Sequence, residues 1–321
     1  MRIDSANAIL ITAYSIIVLV GICGNSLVIH VVRKKRSMHS TMNFLLVNLA
    51  IADLLTLVWC MPGTFLAYTT HPSGQTGSFL CKFITTHSIG GVGMIVSGLT
   101  LTLISVERYK ALVRALQKPS RLNKDNVVYV IAVIWVFAIA YVTPLFVFMT
   151  FDEKRKRCAT LWPTSSTNAN AYWIVLAVIV TTAFITMTVC YFSIIRGMYF
   201  TKTICSSNAN TGDETDAMIK RRIVTMLLIV TVVFVLCFFP YAIATATDIP
   251  QENTFYKISY FLVYCSSSIN PITYAVGSSN YRKAFKEVLQ EIKLRLLRTW
   301  PYVESAYNLP GLKNYIDEIT K

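Results

Sequence analysis

One uncharged stretch limits what this chain can fold into more than any other feature. From Ile84 to Val106 there is no Asp, Glu, Lys or Arg, and the stretch lies between Cys81 and Glu107-Arg108-Tyr109. About 20 apolar residues in a helix cross the hydrocarbon core of a bilayer. The stretch therefore predicts a membrane-crossing helix with an acid and an arginine where it leaves the membrane.

Six more apolar stretches of similar length predict six more crossings. The seven stretches are residues 9–32, 42–68, 79–106, 127–150, 172–195, 223–247 and 255–276. The 321 residues are 54% hydrophobic and 14% charged, which is more apolar surface than a soluble domain of this length can bury. Stretches this long exclude barrel strands of about 10 residues. The predicted fold is an all-α membrane protein, a seven-transmembrane-helix bundle, and the polar segment 205–216 is expected to be a flexible loop.

The distribution of basic residues predicts the orientation. One set of loops and the tail carry 23 Lys and Arg, and the other set carries seven. Because the more basic side is cytoplasmic, residues 1–8 form an extracellular N-terminus, 9–277 the transmembrane domain, and 278–321 the cytoplasmic end. Cys81 and Cys158 would then share the oxidising exterior, where a disulfide can join them.

The segment after the last crossing has a different pattern. Residues 281–289 place apolar side chains at helical spacing with basic residues between them. This is typical of an interfacial helix on an anionic leaflet, so membrane lipids are expected partners. The net charge of +14 does not indicate nucleic acid, because the basic residues form short clusters between apolar stretches rather than one basic face.

Polar residues inside the crossings are candidates for function, because they are costly in lipid. They are Asn25, Asp53, Ser97 and Asn270, with Ser267 three residues before Asn270 on the same helix face. Oxygen ligands of this kind can hold a sodium ion. The alternative is that Asp53 is protonated and serves as a structural hydrogen-bonding group. No organic cofactor is expected.

Pro240 predicts a hinge in the sixth crossing. It has no N–H to donate to the carbonyl group of Leu236, so the helix is expected to kink there. Phe234, Phe238 and Tyr241 occupy one stripe along the inner side of this bend. Ordinary core packing is the alternative for such a stripe.

Six short motifs occur in order along the predicted helices. They are Gly24-Asn25-Ser26-Leu27-Val28, Leu49-Ala50-Ile51-Ala52-Asp53, Glu107-Arg108-Tyr109, Trp135, Cys237-Phe238-Phe239-Pro240-Tyr241 and Asn270-Pro271-Ile272-Thr273-Tyr274. From Asn25 to about Leu289 the chain resembles the rhodopsin-like (class A) G-protein-coupled receptors, and neuropeptide receptors among them.

The resemblance implies a multi-pass plasma-membrane receptor, not an enzyme, with a heterotrimeric G-protein and arrestin as cytoplasmic partners. Arg108 would reach the G-protein and be restrained at rest by Glu107. The implied switch residues are Glu107, Arg108, Tyr109, Tyr191, Phe234, Phe238, Pro240, Asn270, Pro271 and Tyr274. The resemblance also implies the Cys81–Cys158 disulfide and a sodium pocket around Asp53.

The ligand class is narrowed by missing groups. The seventh stretch has no inner lysine for a retinal Schiff base, and neither Gly90 nor Ser88 supplies the third-helix acid that an amine needs. A peptide or another small ligand is expected above the aromatic mouth. The candidate contacts are His87, Ser88, Tyr172, Trp173, Tyr241, Tyr260 and Tyr264. For any one of these aromatic residues, anchoring at the membrane interface is the simpler explanation.

Two questions stay open at this level. Compared with the family, Cys81 to Arg108 is two residues longer, and the excess is expected near residues 90–93 as a tilt, a protrusion or a π-bulge. The alternative function is a transporter with a mid-membrane ion or substrate site at Asp53, although no internal repeat is visible.

Overall fold

The computed structural model describes residues 5–66, 72–86, 88–114, 122–154, 157–162, 165–200, 211–247, 249 and 253–299. Its α-helices are α1 (Ser5–Lys34), α2 (Thr41–Leu66), α3 (Gly74–Leu80), α4 (Ser88–Leu112), α5 (Lys124–Phe148), α6 (Ser165–Ile195), α7 (Thr211–Ala246), α8 (Thr254–Gly277) and α9 (Ser279–Thr299). A 3-10 turn, Arg36–Met38, follows α1, and π-helical turns follow α3 at Cys81–Thr85 and α6 at Arg196–Phe200. Strands β1 (Met149–Asp152) and β2 (Arg157–Thr160) form an antiparallel hairpin.

The seven predicted crossings correspond to α1, α2, α3 with α4, α5, α6, α7 and α8. Six of these are long and apolar enough to span a membrane. The seventh, α8, has 24 residues and is more polar than the others. It packs against α1, α2 and α7, so its buried serines and Asn270 face protein rather than lipid.

Two predicted boundaries were wrong. Residues 149–150 lie in β1 and not in the fourth crossing, because α5 ends at Phe148. The helix of the sixth crossing begins at Thr211, so residues 211–216 are helical rather than a flexible loop, and residues 205–210 lie outside the described part. An apolar stretch marks only the part of a helix that lipid surrounds, and it gives no signal where a helix continues into water.

The helix packing separates protein-facing from lipid-facing surfaces. The largest buried cluster joins α1, α2, α4, α6, α7, α8 and α9 around residues such as Leu45, Leu49 and Ile104. By contrast, α5 and α6 leave large side chains such as Val133 and Val178 exposed. In a bilayer these exposed side chains face lipid.

Polar groups also join the helices inside the bundle. The Trp135 Nε1–H donates to Asn48 Oδ1 at 2.8 Å, and Asn48 Nδ2 donates to Thr100 Oγ1 at 2.8 Å. This series of two hydrogen bonds links α5, α2 and α4. A Cβ atom at Gly93 would lie 2.5 Å from the Ala52 carbonyl oxygen, so a glycine is needed for α4 to approach α2 this closely.

The extra length of the third crossing is taken up nearer Cys81 than expected. The wide π-helical turn is at Cys81–Thr85, whereas residues 90–93 are regular α-helix. Thr86 Oγ1 donates to the Cys81 carbonyl oxygen at 2.6 Å, which satisfies a backbone group at this turn. The expectation of an irregularity at the glycines was therefore wrong in position, although a π-bulge was one of the alternatives.

Candidate functional site

The outer end of the bundle is closed by a disulfide-linked hairpin. The predicted Cys81–Cys158 disulfide is confirmed, with its Cα atoms 5.5 Å apart. Cys158 lies on β2, opposite Phe151 on β1, and Met149 and Phe151 pack over the buried Cys81. The hairpin is thus fixed to the start of the third crossing.

The aromatic residues expected at the mouth belong to two separate ring clusters. In the first cluster, the ring centroids of Tyr241 and Tyr260 are 5.3 Å apart, those of Tyr260 and Tyr264 are 4.8 Å apart, and Tyr14 continues the series at 5.7 Å from Tyr264. Tyr260 and Tyr264 are only 4% and 1% exposed. These two rings therefore serve mainly to pack α1, α7 and α8 together.

The second cluster lies between α5 and α6. Tyr172 stacks on Tyr141 with centroids 4.7 Å apart, and Tyr141 O–H donates to the Tyr172 carbonyl oxygen at 2.9 Å. Trp173 packs edge-on against Tyr172 and is 38% exposed, so it offers the larger free surface.

Ser88, another mouth candidate, does not lie in either cluster. Ser88 is buried, with its hydroxyl 3.0 Å from that of Thr86. Gly90 faces α2, where its carbonyl oxygen accepts from Thr56 Oγ1 at 3.3 Å. His87 lies outside the described residues.

A buried polar cluster occupies the middle of the bundle, where the sequence predicted it. Ser97 Oγ donates to one Asp53 carboxylate oxygen at 3.1 Å, and Asn270 Nδ2 donates to the other at 2.7 Å. Asn25 Nδ2 donates to the carbonyl oxygens of Gly21 and Ser267 at 2.9 and 3.0 Å. The cluster therefore joins α1, α2, α4 and α8.

The donor set of this cluster fits a small, hard cation. Its oxygens come from the Asp53 carboxylate, the Ser97 hydroxyl and Asn25 Oδ1, and Asn25 Oδ1 is buried without a partner among the described residues. The Ser267 side chain also faces the Asp53 carboxyl group. Because Asn270 donates to the same carboxylate, an ion and this amide would compete for one oxygen.

The predicted aromatic stripe lies on the side of α7 that faces the inside of the bundle. The rings of Phe234 and Phe238 are 5.7 Å apart and nearly parallel, and Phe238 meets Tyr241 at 5.9 Å. A Cβ atom at Gly98 would lie 3.4 Å from Phe234, so this ring packs against α4. Pro240 lies within α7, between the two upper rings of the stripe.

The other end of the bundle contains a cleft of about 530 Å³. It lies between the ends of α1, α2, α7 and α9, and Arg108 contributes to its lining. Arg108 Nε is buried and has no hydrogen-bond partner in the described part of the chain. The Arg108 guanidinium thus keeps a donor that no described residue uses, beside a cleft that an incoming ligand or protein can enter.

Among the described residues no ion pair joins Glu107 to Arg108, although the Glu107 charge acts on the guanidinium, so the expected restraint stays a prediction. The Glu107 carboxylate lies 3.4 Å from Lys110 Nζ, and it accepts from the backbone N–H of Leu122 at 3.3 Å. These contacts fasten the end of α4 to the segment before α5. Tyr109 instead receives the guanidinium of Arg114, which lies 5.5 Å from its ring centroid.

Contacts with α7 hold the cleft in its present form. Tyr191 O–H accepts from Thr231 Oγ1 at 3.2 Å, which joins α6 to α7. Tyr274 is 1% exposed, and its hydroxyl group has no partner among the described residues. On α8, Pro271 packs against α1, where a Cβ atom at Gly24 would lie 2.8 Å from the proline ring.

One contact in this region was missed from the sequence. Arg222 Nη2 donates to the Val276 carbonyl oxygen at 2.9 Å, which ties α7 to the last turn of α8. Met226 packs in the space beside Gly277. A Cβ atom added at Gly277 would lie 2.7 Å from the Met226 Cβ atom. The sequence showed a basic residue at 222, but a backbone acceptor leaves no sequence signal.

Comparison with known proteins gives one consistent result. Residues 24–274 match the family described as 7 transmembrane receptor (rhodopsin family). The chain is 30% identical to neuropeptide Y receptor type 2 of Cavia porcellus over 88% of its own length and 77% of that protein. It is 30% identical to galanin receptor type 1 of Rattus norvegicus, covering 88% and 83% of the two chains. These relatives are receptors, so the transporter alternative is not supported.

Proposed function

Because the chain belongs to the rhodopsin family of seven-transmembrane receptors, and is therefore a multi-pass receptor of the plasma membrane, we propose that it binds an extracellular peptide and activates a heterotrimeric G-protein. The observation that carries the cytoplasmic half of this proposal is Arg108, whose unpartnered guanidinium Nε lies beside the cleft. The excess of basic residues supports the assignment of this end of the bundle to the cytoplasm.

The peptide class is supported by the relatives and by the missing groups. The relatives are named as receptors for neuropeptide Y and galanin. No acid lies between residues 74 and 106, so the third crossing has none near the hairpin end to bind an amine. The exposed Trp173 and the hairpin that carries Cys158 offer an aromatic and backbone surface at the outer end, as peptide binding requires.

The mechanism follows from the contacts of α7. Agonist binding favours a state in which α7 moves outward about Pro240, and the Arg222–Val276 and Thr231–Tyr191 hydrogen bonds break. The cleft then widens around Arg108 and admits the G-protein. Since agonist and G-protein favour the same state, each raises the affinity of the other. The same opened cleft is the proposed docking site for arrestin.

The decisive experiment separates binding from coupling. Purified receptor is screened with a peptide panel, and agonist-dependent nucleotide exchange is measured on added G-protein. We expect Arg108→Ala to abolish exchange while agonist affinity without G-protein is retained. Arg33→Ala, which removes an exposed arginine outside the cleft lining, is the matched control. Normal exchange by the Arg108 variant would overturn the coupling role, and an inactive peptide panel would overturn the ligand class.

We also propose that sodium is an allosteric ligand at Asp53. Ser97 Oγ, Asn25 Oδ1, Ser267 and Asn270 would complete its surroundings, with the ion replacing the Asn270 donor on the carboxylate. Sodium would then favour the state that agonist disfavours. Agonist affinity should fall in sodium chloride relative to choline chloride at equal ionic strength, but not in Asp53→Asn. Equal sensitivity of the variant would remove the ion site.

A further inference from the structure

A groove of about 500 Å³ lies on the outside of the bundle where α1, α8 and α9 meet. Its floor is apolar and is formed by Leu27 of α1, Ala275 of α8, and Phe285 and Leu289 of α9. Leu289 is 54% exposed, so this floor remains open rather than filled by the protein. The groove is distinct from the cleft beside Arg108, with which it shares no lining residue.

The rim of the groove is basic. Arg282, Lys286 and Lys293 line it, together with Gln290. Positions 282, 286, 289 and 293 fall on one face of a helix, so charge and apolar floor are parallel along α9. All three basic side chains are exposed, and none makes an ion pair with a described residue.

The acids of α9 are used elsewhere. Glu287 and Glu291 pair with Lys35 and Lys34 at the end of α1. The hydrogen bond from Lys35 holds the pKa of the Glu287 carboxyl group below its usual range, so this acid stays ionised and paired at neutral pH. One edge of α9 is thus tied to α1, and the opposite edge is positive with no ion-pair partner among the described residues.

We propose that this groove binds one anionic phospholipid of the cytoplasmic leaflet. Its phosphate-bearing headgroup lies along Arg282, Lys286 and Lys293, and an acyl chain rests on Leu27, Ala275, Phe285 and Leu289. Basic side chains bordering an apolar floor at the end of the crossings match an anionic headgroup attached to hydrocarbon. The assignment to the cytoplasmic leaflet rests on the proposed orientation, but binding itself does not depend on the agonist or the G-protein.

The test uses the full chain in nanodiscs of phosphatidylcholine with a small fraction of a photoreactive phosphatidylinositol bisphosphate. After illumination, lipid attached per receptor is quantified and its position is mapped by mass spectrometry. We expect attachment within residues 282–293 and in α1 near Leu27. The triple variant R282Q/K286Q/K293Q should reduce attachment by about tenfold or more, because each basic residue near an anionic headgroup adds to binding.

Matched variants separate a site from general attraction. R33Q/R36Q/K124Q removes the same charge from exposed residues outside the groove and should stay within about twofold of wild type. L289Q keeps every charge and should lower attachment, since it removes part of the apolar floor. An equal loss in both triple variants would overturn the proposal in favour of diffuse attraction. So would displacement of the lipid by an equal concentration of soluble inositol phosphate, which lacks an acyl chain.

Discussion

At the residue scale, a few buried polar side chains fix the positions of the crossings. Asn48 joins three helices, because its amide accepts from Trp135 and donates to Thr100. Asp53 does the same in the next layer through Ser97 and Asn270. Each of these two side chains makes two hydrogen bonds, so the loss of one partner leaves a buried polar atom without a hydrogen bond. This is more costly than losing the bond itself.

Trp135→Phe tests this directly. The ring is kept but the Nε1–H is lost, which leaves the buried Asn48 Oδ1 without its donor. We expect the receptor to lose about 1–3 kcal/mol of stability, seen as a lower thermal denaturation midpoint of the ligand-free protein. Trp173→Phe, at a half-exposed tryptophan with no described side-chain bond, is the control. Equal midpoints for the two variants would show that the Asn48 network contributes nothing.

At the element scale, contacts with α8 hold α7 in place at the end of the bundle that contains the cleft. The bond from Arg222 ends on the last turn of α8, whose carbonyl groups carry the negative end of the helix dipole. Met226 and Gly277 fit together beside it. These contacts hold α7 against α8 beside the cleft, and no described acid forms an ion pair with Arg108. The position of this end of α7 therefore depends on its contacts with α8.

Weakening this pair should raise signalling without agonist. Arg222→Gln removes the bond to the Val276 carbonyl oxygen, and we expect basal nucleotide exchange to rise about two- to fivefold. Arg33→Gln, an exposed arginine at the end of α1, is the control. Gly277→Ala should have the same effect by pushing Met226 away, and Met226→Ala in the same chain should restore the basal rate. Unchanged basal exchange in both single variants would show that α7 is held elsewhere.

At the scale of the whole molecule, the two ends of the bundle are built differently. The end that carries the hairpin is covalently fixed by the disulfide, whose cysteines are 77 positions apart in the sequence, whereas the end that contains the cleft is held without a covalent link, by side-chain packing, hydrogen bonds and exposed ion pairs. One covalently fixed end and one end held only by non-covalent contacts suit a molecule that changes shape on one side when the other side is occupied.

Removal of the disulfide should therefore loosen the outer end first. Cys81→Ser with Cys158→Ser should lower stability by about 2–5 kcal/mol and weaken peptide binding, because the hairpin is no longer tied to the third crossing. Cys23→Ser, which replaces an exposed free cysteine of α1, is the control. The readout is surface expression together with the denaturation midpoint. Wild-type values for the double variant would show that packing of Met149 and Phe151 alone holds the hairpin.

The sequence was informative wherever one residue type is costly outside one environment. Uncharged stretches located the crossings because charged side chains are costly in lipid, and for the same reason the carboxylate of Asp53 identified the polar cluster. The sequence was uninformative where a side chain binds a backbone atom, or where packing decides which neighbouring side chain it contacts. Arg222 binds a carbonyl oxygen, and Glu107 binds Lys110 rather than Arg108. The irregularity of the third crossing was predicted at residues 90–93 rather than at Cys81–Thr85, because the position of a π-helical turn depends on local backbone hydrogen bonds.

The polarity of α8 has a consequence for how the receptor is made. The translocon passes a helix into the bilayer according to its hydrophobicity, and among the described crossings α8 is long enough to span a membrane but is less apolar than the other six spans. Its serines and Asn270 become acceptable in the membrane only beside α1, α2 and α7, which are synthesised earlier. Insertion of the last crossing thus depends on correct assembly of the first ones. Misassembly of α1 or α2 would leave α8 outside the bilayer, where cellular quality control can recognise and remove the chain.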